Sequence, residues 1–481
     1  MSTRATPILV GVGDVRNKSN KPEDAIEPSK MMIRAILSAA QDTGLDAGAQ
    51  KQLLADADGL RIIPTWTWAY NDLLSTVADG LGIKPTTKVM PTHGGNQPAL
   101  QCDEAARAIA DRKSKVAILT GGEAMASRAG PRHSVGLPIH VYPLYENGRR
   151  AHLRQTAQQN NQESATLYAS FDEIGSKNQY SWNYGEKPKS AEFIGSVSKR
   201  NRIICDPYPL LMNAFNGVNL SAACILTSTE HAEKLGIPKD KWVYILGGAG
   251  THEKDNFWER PGFASSPAIT NSLDSALQVS GLTKDQIGAF DFYSCFPIVP
   301  KLACDHFGLS PTSPEKPISL LGGLTSFGGA GNNYSMHALT AMTREIRSRK
   351  YKNGLILANG GMLTHQYAVC LSAQPRRDGR DYPSKNPLPL VVPDPAPPFV
   401  EDANGPATIE TYTVEYDRSG APSLGHVVGR LKTGERFLAN HGDEATLERL
   451  AQRSAEHIGE AGVVRKEDDR NLFYFAAKPN L

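Results

Sequence analysis

The stretch HGGNQPALQCDEAARAIADR at residues 93–112 opens on a glycine turn and continues into a segment with the composition of an alanine-rich helix. The apolar run VAILTGGE at 116–123 follows and ends in a glycine pair. The same order recurs later as GGAGNNYSMHALTAMTREIRSR at 328–349 and GLILANGG at 354–361. A turn, a helix, an apolar strand and a glycine pair thus occur once in each half. This repetition predicts an internal duplication of α/β units.

Apolar strands separated by helices are typical of a sheet that is covered on both faces, and we expect that sheet to be mainly parallel. Each of the two helices begins at a glycine turn. Its free N–H groups and the positive end of its dipole therefore face whatever occupies the turn. We expect the glycine turns to line a common ligand mouth.

The rest of the chain divides by composition. The region between the halves is richer in Arg, Asn, Gln and Tyr, which favours an inserted loop domain. Eight prolines between residues 375 and 398 predict an extended linker. Alternating apolar residues beyond it predict a small β-rich domain with one helix at 444–458. The predicted domains are 1–128 with 241–262 (first half), 129–240 (loop domain), 263–374 (second half), 375–406 (linker) and 407–481 (C-terminal domain).

Composition excludes several classes of function. The 481 residues include 52 basic and 50 acidic side chains, so no overall charge favours nucleic acid or anionic lipid. No apolar run reaches the roughly 18 residues of a membrane span, and we expect no signal peptide. Six scattered cysteines without a Cys-x-x-Cys pair predict neither a metal site nor a disulfide framework, and they favour a reducing, intracellular compartment. The ending Lys478–Leu481 is a poor match to a peroxisomal tripeptide, so we expect the cytoplasm, with the peroxisome as the alternative.

Several motifs together resemble the thiolase superfamily, and within it the thiolase-like proteins of type 1. They are HGGNQP (93–98), GGEAM (121–125), RIICDPYP (202–209), DFYSCFP (291–297) and GGAGNNYSMH (328–337). The resemblance covers nearly the whole chain, including an additional C-terminal domain. It implies two βαβαβ halves in a five-layer αβαβα arrangement, a loop domain between them and a small OB-like barrel at the end. It also implies acyl-CoA ligands and a role in lipid metabolism.

The catalytic positions implied by the resemblance are largely changed. Gly95 stands where thiolases carry the nucleophilic cysteine, and Tyr293 stands at a His/Asn position. Gly329 replaces the Gly-His-Pro histidine, and the second catalytic cysteine aligns near Leu357. Without a thiol at the helix N-terminus no covalent acyl-enzyme forms there. Backbone N–H groups remain to bind a thioester oxygen, so the expected substrate-binding positions are Gly95, Asn96, Gly329, Asn332, Asn333, Gly360 and Gly361.

Five side chains are candidates for catalysis. Cys295 follows a strand, where active-site loops of α/β folds lie, and the sterol-carrier type of thiolase places its acid/base thiol at this motif; burial as a small apolar residue is the alternative. Tyr293 is a candidate hydrogen-bond donor to the thioester oxygen, or a buried strand-end tyrosine. His337, His93 and His365 lie near expected positions, and the alternatives are a core histidine for the first and surface histidines for the others.

A CoA ligand also brings phosphates. Lys199, Arg200 and Arg202 lie in the predicted loop domain and suit a 3′-phosphate; the alternative is that they are simply solvated. The C-terminal domain carries balanced charges, which argues against a nucleic-acid groove, and docking on the thiolase-like body is the expected role.

The expected function is that of an acyl-CoA-dependent acyltransferase with an altered mechanism. CoA or acyl-CoA would be its substrate, with no covalently bound cofactor and no metal. The alternative is a non-catalytic acyl-CoA-binding or partner protein. The polar residues around the mouth favour the enzyme. The oligomeric state is open between a homodimer and a monomer.

Overall fold

A nine-stranded mixed sheet organises the chain up to Ser372. The computed structural model describes residues 4–19, 24–66, 68–125 and 137–476, so the C-terminal tetrapeptide noted above lies outside the described residues. The first half consists of β1 (Pro7–Arg16), α1 (Pro28–Asp42), α2 (Ala47–Ala55), β2 (Ala57–Ile62), α3 (Leu73–Leu81), β3 (Thr87–Val89), α4 (Gln97–Ala110), β4 (Val116–Ala124) and, after an insertion, β7 (Asn219–Ser228) and α8 (Thr229–Leu235).

The second half repeats the first. It consists of β8 (Val243–His252), α9 (Pro267–Ser280), β9 (Ala289–Phe292), α10 (Ile298–Phe307), α11 (Tyr334–Arg347), β10 (Asn353–Gly360) and β11 (His365–Ser372). The sheet order is β3-β2-β4-β7-β1-β8-β11-β10-β9, so each half has the same internal order read outward from the junction of β1 and β8. The duplication predicted from the two glycine-turn repeats is therefore confirmed.

The expectation of a mainly parallel sheet is wrong. Only the pairs β2–β3, β2–β4 and β9–β10 are parallel, and the five central pairings are antiparallel. The apolar runs misled the prediction because helices cover both faces of the sheet. A strand buried on both sides is apolar throughout, whichever way its neighbours run.

The sheet curls around α4 and α11, which touch each other at the centre. Both helices contact strands of the first half and strands of the second half. Helix α1 covers the outer face of β1 and β7, and α9 covers the outer face of β8 and β11. The result is the five-layer αβαβα arrangement. Each central helix begins at a glycine turn, and the two turns lie at the same end of the molecule's core.

The insertion between β4 and β7 contributes α5 (Pro138–His152), α6 (Ala157–Lys177), α7 (Ala191–Gly195) and the short strands β5 (Ile203–Cys205) and β6 (Tyr208–Pro209). The predicted end of this region at residue 240 is too late. The small-residue segment that was assigned to it is β7, which lies between β4 and β1 in the main sheet. Its small side chains allow the sheet and α11 to approach closely.

The C-terminal domain is a closed five-stranded barrel. It comprises β12 (Gly405–Tyr416), β13 (Pro422–Leu431), β14 (Arg436–His441), α12 (Glu444–Leu450), β15 (Ala461–Glu467) and β16 (Arg470–Phe475). The order β13-β14-β16-β15-β12 closes through a β12–β13 pairing. Helix α12 ends eight residues before the predicted boundary at 458, and the chain beyond it brings Arg453 to the carboxylate of Asp206, at 2.8 Å.

The barrel is docked on the body through buried polar contacts. Thr411 donates a hydrogen bond to the carbonyl of Leu144 at 2.7 Å, and the amide of Asn147 donates to the carbonyl of Tyr412 at 2.9 Å. Arg436 has a fully buried side chain that donates to the carbonyl of Trp258 at 2.8 Å and pairs with Glu410. The proline-rich linker has no helix or extended strand, as expected, but it lies against the body and is not a free tether.

Two histidines and one carboxylate meet where the barrel contacts α5. His140 Nε2 lies 3.1 Å from Glu415 Oε1, and His426 Nε2 lies 2.5 Å from the same oxygen. These hydrogen bonds lower the pKa of Glu415 to about 2. None of the described helices has the length and apolar character needed to cross a membrane.

We predict that Glu415→Gln destabilises the protein by about 1–3 kcal/mol near neutral pH, the range for hydrogen bonds to a charged group. The pKa of Glu415 is lower in the folded state than the 4.5 of a free glutamate, so its contribution is complete above pH 4.5. That contribution is lost as the pH falls from 4.5 towards 2. Denaturant unfolding at several pH values should therefore show wild type and variant converging in acid. The exposed Glu401→Gln in the same region serves as control, and a variant difference that stays constant with pH would contradict the assignment.

Candidate active site

Two glycine turns, one from each half of the fold, meet at the start of α4. The backbone nitrogen of Gly95 lies 3.1 Å from the position that a Cβ on Gly360 would occupy. The side-chain oxygen of Asn96 occupies the same space, is buried, and has no hydrogen-bond partner among the described residues. The structure therefore brings Gly95, Asn96 and Gly360 together, and only a residue without a side chain fits at Gly360.

Tyr293 fills the space in which a side chain at position 95 would stand. A Cβ on Gly95 would lie 2.7 Å from the Tyr293 hydroxyl and 2.5 Å from the carbonyl oxygen of Asn359. Tyr293 directly follows β9, where its N–H donates to the carbonyl of Leu357 at 2.9 Å. Its ring packs edge-on against Tyr334, with ring centres 5.2 Å apart. Burial raises the pKa of Tyr293 well above its usual value, so the hydroxyl keeps its proton.

Cys295 lies beside this pair in a buried polar cluster. The amide nitrogen of Asn359 is 3.9 Å from the Cys295 sulfur and donates to the Tyr142 hydroxyl at 2.9 Å. The amide of Gln366 donates to the other end of Asn359 at 2.6 Å. Burial raises the pKa of Cys295 to about 12. The group is therefore a protonated thiol at neutral pH, which makes it a weak nucleophile and a possible proton donor.

The N-terminal end of α11 closes the other side of the cluster. The Ser335 hydroxyl donates to the carbonyl of Gly95 at 3.1 Å. Asn332 donates to the carbonyl of Pro64 and to His93 Nδ1, both at 3.0 Å. Asn333 is buried against Gly121, and neither of its amide atoms has a partner among the described residues.

The candidate histidines do not join the Tyr293–Cys295 cluster. His93 is exposed and lies at the rim of the site, where its Nδ1 accepts a hydrogen bond from Asn332. His337 faces away from the cluster and bonds Asp14 at 2.5 Å. His365 is half-buried against His252, with ring centres 4.8 Å apart, and burial lowers its pKa.

Two of the expected substrate-binding glycines lie at the margin. Gly329 donates its N–H to the carbonyl of Phe215 at 2.8 Å, on the side of the insertion. Gly361 has φ +64° and an exposed surface, and its carbonyl accepts a hydrogen bond from Tyr142 at 3.1 Å.

A cleft of about 460 Å³ lies between the insertion and residues 325–326 of the second half. Tyr168 lines the cleft, and its hydroxyl donates to the carbonyl of Ser294, next to Cys295, at 3.3 Å. Trp182, Phe215 and Lys189 also line it. The predicted phosphate-binding residues lie elsewhere on the insertion: Lys199 and Arg200 are exposed, and Arg202 donates to the carbonyls of Ile203 and Tyr416 at 3.3 and 3.4 Å.

Sequence reasoning missed three members of the site. Tyr142 lies on α5 in the insertion, where no motif marks it. Lys189 lines the cleft, and its only nearby basic residue in the sequence is Lys187, which does not mark a site. Asn359 had a usable signal, since it is a polar residue at the end of an apolar strand immediately before the second glycine pair.

Among the described residues, one group has the composition and spacing of a metal site. It is His140, Glu415 and His426, whose ligand atoms lie within 4.8 Å of one another. The group belongs to the barrel junction and not to the Tyr293–Cys295 cluster. The Leu137 N–H donates to His140 Nδ1 at 3.3 Å, and the Asn440 amide donates to His426 Nδ1 at 3.4 Å. These outer ring nitrogens act as acceptors and carry no proton. Both inner nitrogens therefore carry protons towards Glu415, which does not suit a bound metal.

Known proteins resemble the chain in sequence and in structure. Residues 387–469 match the family model of the thiolase-like protein type 1 additional C-terminal domain. A monomeric SCP2-thiolase-like protein type 1 from Mycobacterium smegmatis is 32% identical, with a TM-score of 0.86 over 99% of this chain and 100% of that one. The Ltp2–ChsH2(DUF35) aldolase is 18% identical, with a TM-score of 0.63 over 79% of this chain and 100% of that one.

The fold also matches thiolases. Human mitochondrial 3-ketoacyl-CoA thiolase in complex with CoA is 12% identical, with a TM-score of 0.58 over 77% of this chain and 98% of that one. At this level of identity the similarity shows the fold alone. No curated protein matches the chain in sequence.

We predict that Gly95→Ala destabilises the protein by about 1–3 kcal/mol, because the new methyl overlaps the Tyr293 hydroxyl and the Asn359 carbonyl. Tyr293→Ser should recover part of this loss by freeing the space. Urea unfolding of both single variants and the double variant measures the coupling. Gly262→Ala, at a position where no atom lies within 4 Å of the new methyl, is the control and should be near neutral. Additive effects of the Gly95 and Tyr293 substitutions would contradict the contact.

Proposed function

The chain belongs to the SCP2-thiolase-like proteins of type 1, and on this basis we propose that its glycine-lined site binds an acyl-CoA thioester and acts on it without an acyl-enzyme. The observation that carries the proposal is the Tyr293 hydroxyl in the space of a side chain at position 95. A thiolase nucleophile needs that space. In this chain a hydrogen-bond donor occupies it instead.

Three hydrogen-bond donors lie at the N-terminus of α4: the N–H groups of Gly95 and Asn96 and the Tyr293 hydroxyl. The N–H groups of Gly95 and Asn96 precede the first turn of α4, and neither has a hydrogen-bond acceptor among the described residues. The Tyr293 hydroxyl lies beside them, also without a partner in the described chain. N–H groups at a helix N-terminus and a protonated phenol suit an oxygen that gains negative charge. In the proposed complex they hold the thioester oxygen and stabilise the enolate form of the acyl group.

Cys295 supplies the proton in this proposal. Its pKa of about 12 keeps the thiol protonated until a carbanion forms nearby. In the cleavage direction, the thiol of a second bound CoA adds to the 3-carbonyl of a bound 3-oxoacyl thioester, and the bond between the α- and β-carbons breaks to give the enolate. Cys295 protonates the α-carbon, and the thiolate so formed takes the proton of the CoA thiol, which restores Cys295. Asn359 and Tyr142 hold the sulfur in place. The acyl group passes directly between two bound substrates, in transfer, condensation or cleavage.

Carbon–carbon cleavage of the aldol type also runs through an enolate and needs no covalent enzyme intermediate. One of the structurally similar proteins is named an aldolase. At 18% identity its similarity shows the fold alone. The proposal of enolate chemistry therefore rests on the position of Tyr293 beside Gly95.

The cleft in the insertion is the proposed path for the CoA arm. It runs from the protein surface to Tyr168, whose hydroxyl contacts the backbone beside Cys295. The exposed Lys199 and Arg200 on the same insertion are the proposed phosphate contacts, whereas Lys189 on the cleft wall is paired with the buried Asp172 at 3.4 Å. Arg202 is held by two carbonyl oxygens and takes a positioning role in this proposal.

The barrel and the oligomeric state complete the proposal. The strand order of the barrel, with a helix between its third and fourth strands, supports an OB-like domain whose role is docking. The 32%-identical protein is described as monomeric, and we propose the same for this chain.

A non-catalytic acyl-CoA-binding protein is the second candidate, and one observation favours it. Burial raises the pKa values of Tyr142, Tyr293 and Cys295 far above neutrality. None of the three therefore acts as a base without prior charge development in the substrate. A site of this kind binds a thioester without turning it over unless a suitable second substrate is present.

We predict micromolar binding of acetyl-CoA and acetoacetyl-CoA in calorimetric titrations. Tyr293→Phe should weaken binding by up to about tenfold, the value of one hydrogen bond. Mass spectrometry of each mixture then reports whether the thioester is consumed and whether the protein gains an acyl mass. The enzyme proposal requires consumption that Cys295→Ala abolishes without weakening binding.

Cys304→Ala, at a buried cysteine on α10, is the matched control and should keep wild-type behaviour. Binding without consumption, across acyl-CoAs of several lengths, selects the second candidate. An acylated protein in the mass spectrum would contradict the non-covalent mechanism. Absence of binding to every CoA compound would refute both candidates.

A further inference from the structure

We infer that a second cavity, between α11 and the insertion, is a binding site for an organic carboxylate with an apolar body. The cavity measures about 420 Å³, within the usual range for small-molecule sites. Phe327 and Tyr334 lie between it and the Tyr293–Cys295 cluster, and none of its lining residues belongs to that cluster.

A buried Asp–His pair forms the polar end of this cavity. Asp14, on β1, lies 2.5 Å from His337 Nδ1, and both side chains are at most 1% exposed. Burial alone would raise the pKa of Asp14, but the hydrogen bond and charge of His337, with Arg344, lower it overall. The carboxylate therefore stays ionised and holds the imidazole in one orientation.

His337 Nε2 is left without a hydrogen-bond partner among the described residues, although the atom is buried. Leaving a buried polar atom unpaired is unfavourable by about 1–3 kcal/mol, so folded proteins seldom do it without a reason. A ligand that shares a proton with Nε2 supplies the missing bond.

Arg344 stands at the same end with spare donors. One of its nitrogens lies 2.7 Å from the second oxygen of Asp14, and its guanidinium lies over the Tyr180 ring at 4.5 Å. Among the described residues, no further acceptor satisfies its other N–H groups, and its side chain is 30% exposed. A guanidinium fixed by an ion pair and an aromatic face is suited to bind a carboxylate with two parallel hydrogen bonds.

The charges around the cavity favour a single carboxylate over a phosphate. Lys177 and Lys350 line the rim, but they pair with Glu173 and Glu345 at 2.6 and 2.9 Å. They therefore leave no surplus positive charge for a dianion. One carboxyl group that shares a proton with His337 and accepts from Arg344 leaves the site electrically balanced.

The other walls define the rest of the ligand. Their apolar part comprises Ile174, Pro317, Leu320, Leu321, Phe327 and Ala341, while Asn178, Gln179, Ser319 and Thr340 are polar lining residues. An aliphatic or aromatic body matches these walls, because its burial removes apolar surface from water. The geometry therefore points to hexanoate or benzoate as model ligands.

The test compares hexanoate, hexan-1-ol and orthophosphate in calorimetric titrations at constant ionic strength. Hexanoate should bind at least about tenfold more tightly than hexan-1-ol, because only the acid engages Arg344 and His337. Orthophosphate should bind more weakly than hexanoate. Equal binding of acid and alcohol, or phosphate as the tightest ligand, would overturn the assignment.

Three variants locate the site. Ala341→Phe fills the cavity without touching a charge and should abolish hexanoate binding at unchanged thermal stability. Arg344→Gln should reduce hexanoate binding to the level of the alcohol. Arg349→Gln removes the same charge from an exposed position that does not line the cavity, and it should bind as wild type.

Arg344→Gln removes the ion-pair partner of the buried Asp14 and thereby destabilises the fold. If Arg344→Gln does not fold, Ala341→Phe alone tests the site. A histidine nitrogen resonance assigned to His337 Nε2 should also shift on adding hexanoate to the wild-type protein. Hexanoate that binds wild type and Ala341→Phe equally occupies another site, such as the acyl site near Tyr293, and refutes the inference. Absence of hexanoate binding refutes it as well, whatever the outcome with acyl-CoA.

Discussion

The contact of Gly95 with the Tyr293 hydroxyl and the Asn359 carbonyl is the constraint on which the site depends. It joins a turn of the first half to two strand ends of the second half, so the two halves meet there without room for a side chain. The Tyr293 phenol fills the space beside Gly95, so a hydrogen-bond donor lies at the N-terminus of α4. The close packing is kept, and in the proposed reaction this donor stands in place of a nucleophilic thiol.

One segment of the second half connects the site to the surrounding cavities. Asp291 on β9 accepts hydrogen bonds from the N–H groups of Leu320 and Leu321, at 2.7 and 3.3 Å, and burial raises its pKa to about 7. A few residues on, Leu324 donates to the carbonyl of Ser294. The turns at Gly322 and Gly323 have φ values of +94° and +73°, which only glycine adopts readily. This segment walls the cavity beside Asp14 and His337 on one side and the cleft of the insertion on the other.

The repeated glycine turn was enough to predict the duplication, since a turn, helix and strand in fixed order leave few alternatives. Strand direction was not predictable, because burial on both faces erases the alternation that would distinguish antiparallel neighbours. Gly95, Asn96, Tyr293 and Cys295 could be expected to lie close together because the motifs of the family are tied to turn positions, and the structure brings them together. His337 lies four residues beyond the Asn332–Asn333 turn, about one helical turn further along α11. There its ring bonds Asp14 on β1 and not the residues of the mouth, a tertiary contact that sequence distance alone did not reveal.

The proposed reaction without an acyl-enzyme places its own demands on substrate binding. A covalent enzyme stores the acyl group while the first product leaves, so its two substrates need not be present together. A site that offers only hydrogen-bond donors for an oxyanion and a thiol with a pKa of about 12 does not hold the acyl group covalently. Both reacting partners must then be held at once, and their orientation supplies the rate advantage that the cysteine would have given. The insertion provides the walls for this, since Tyr142 anchors the Asn359–Cys295 cluster while Tyr168 lines the cleft of the insertion. The proposed function therefore depends on the inserted region as much as on the duplicated core.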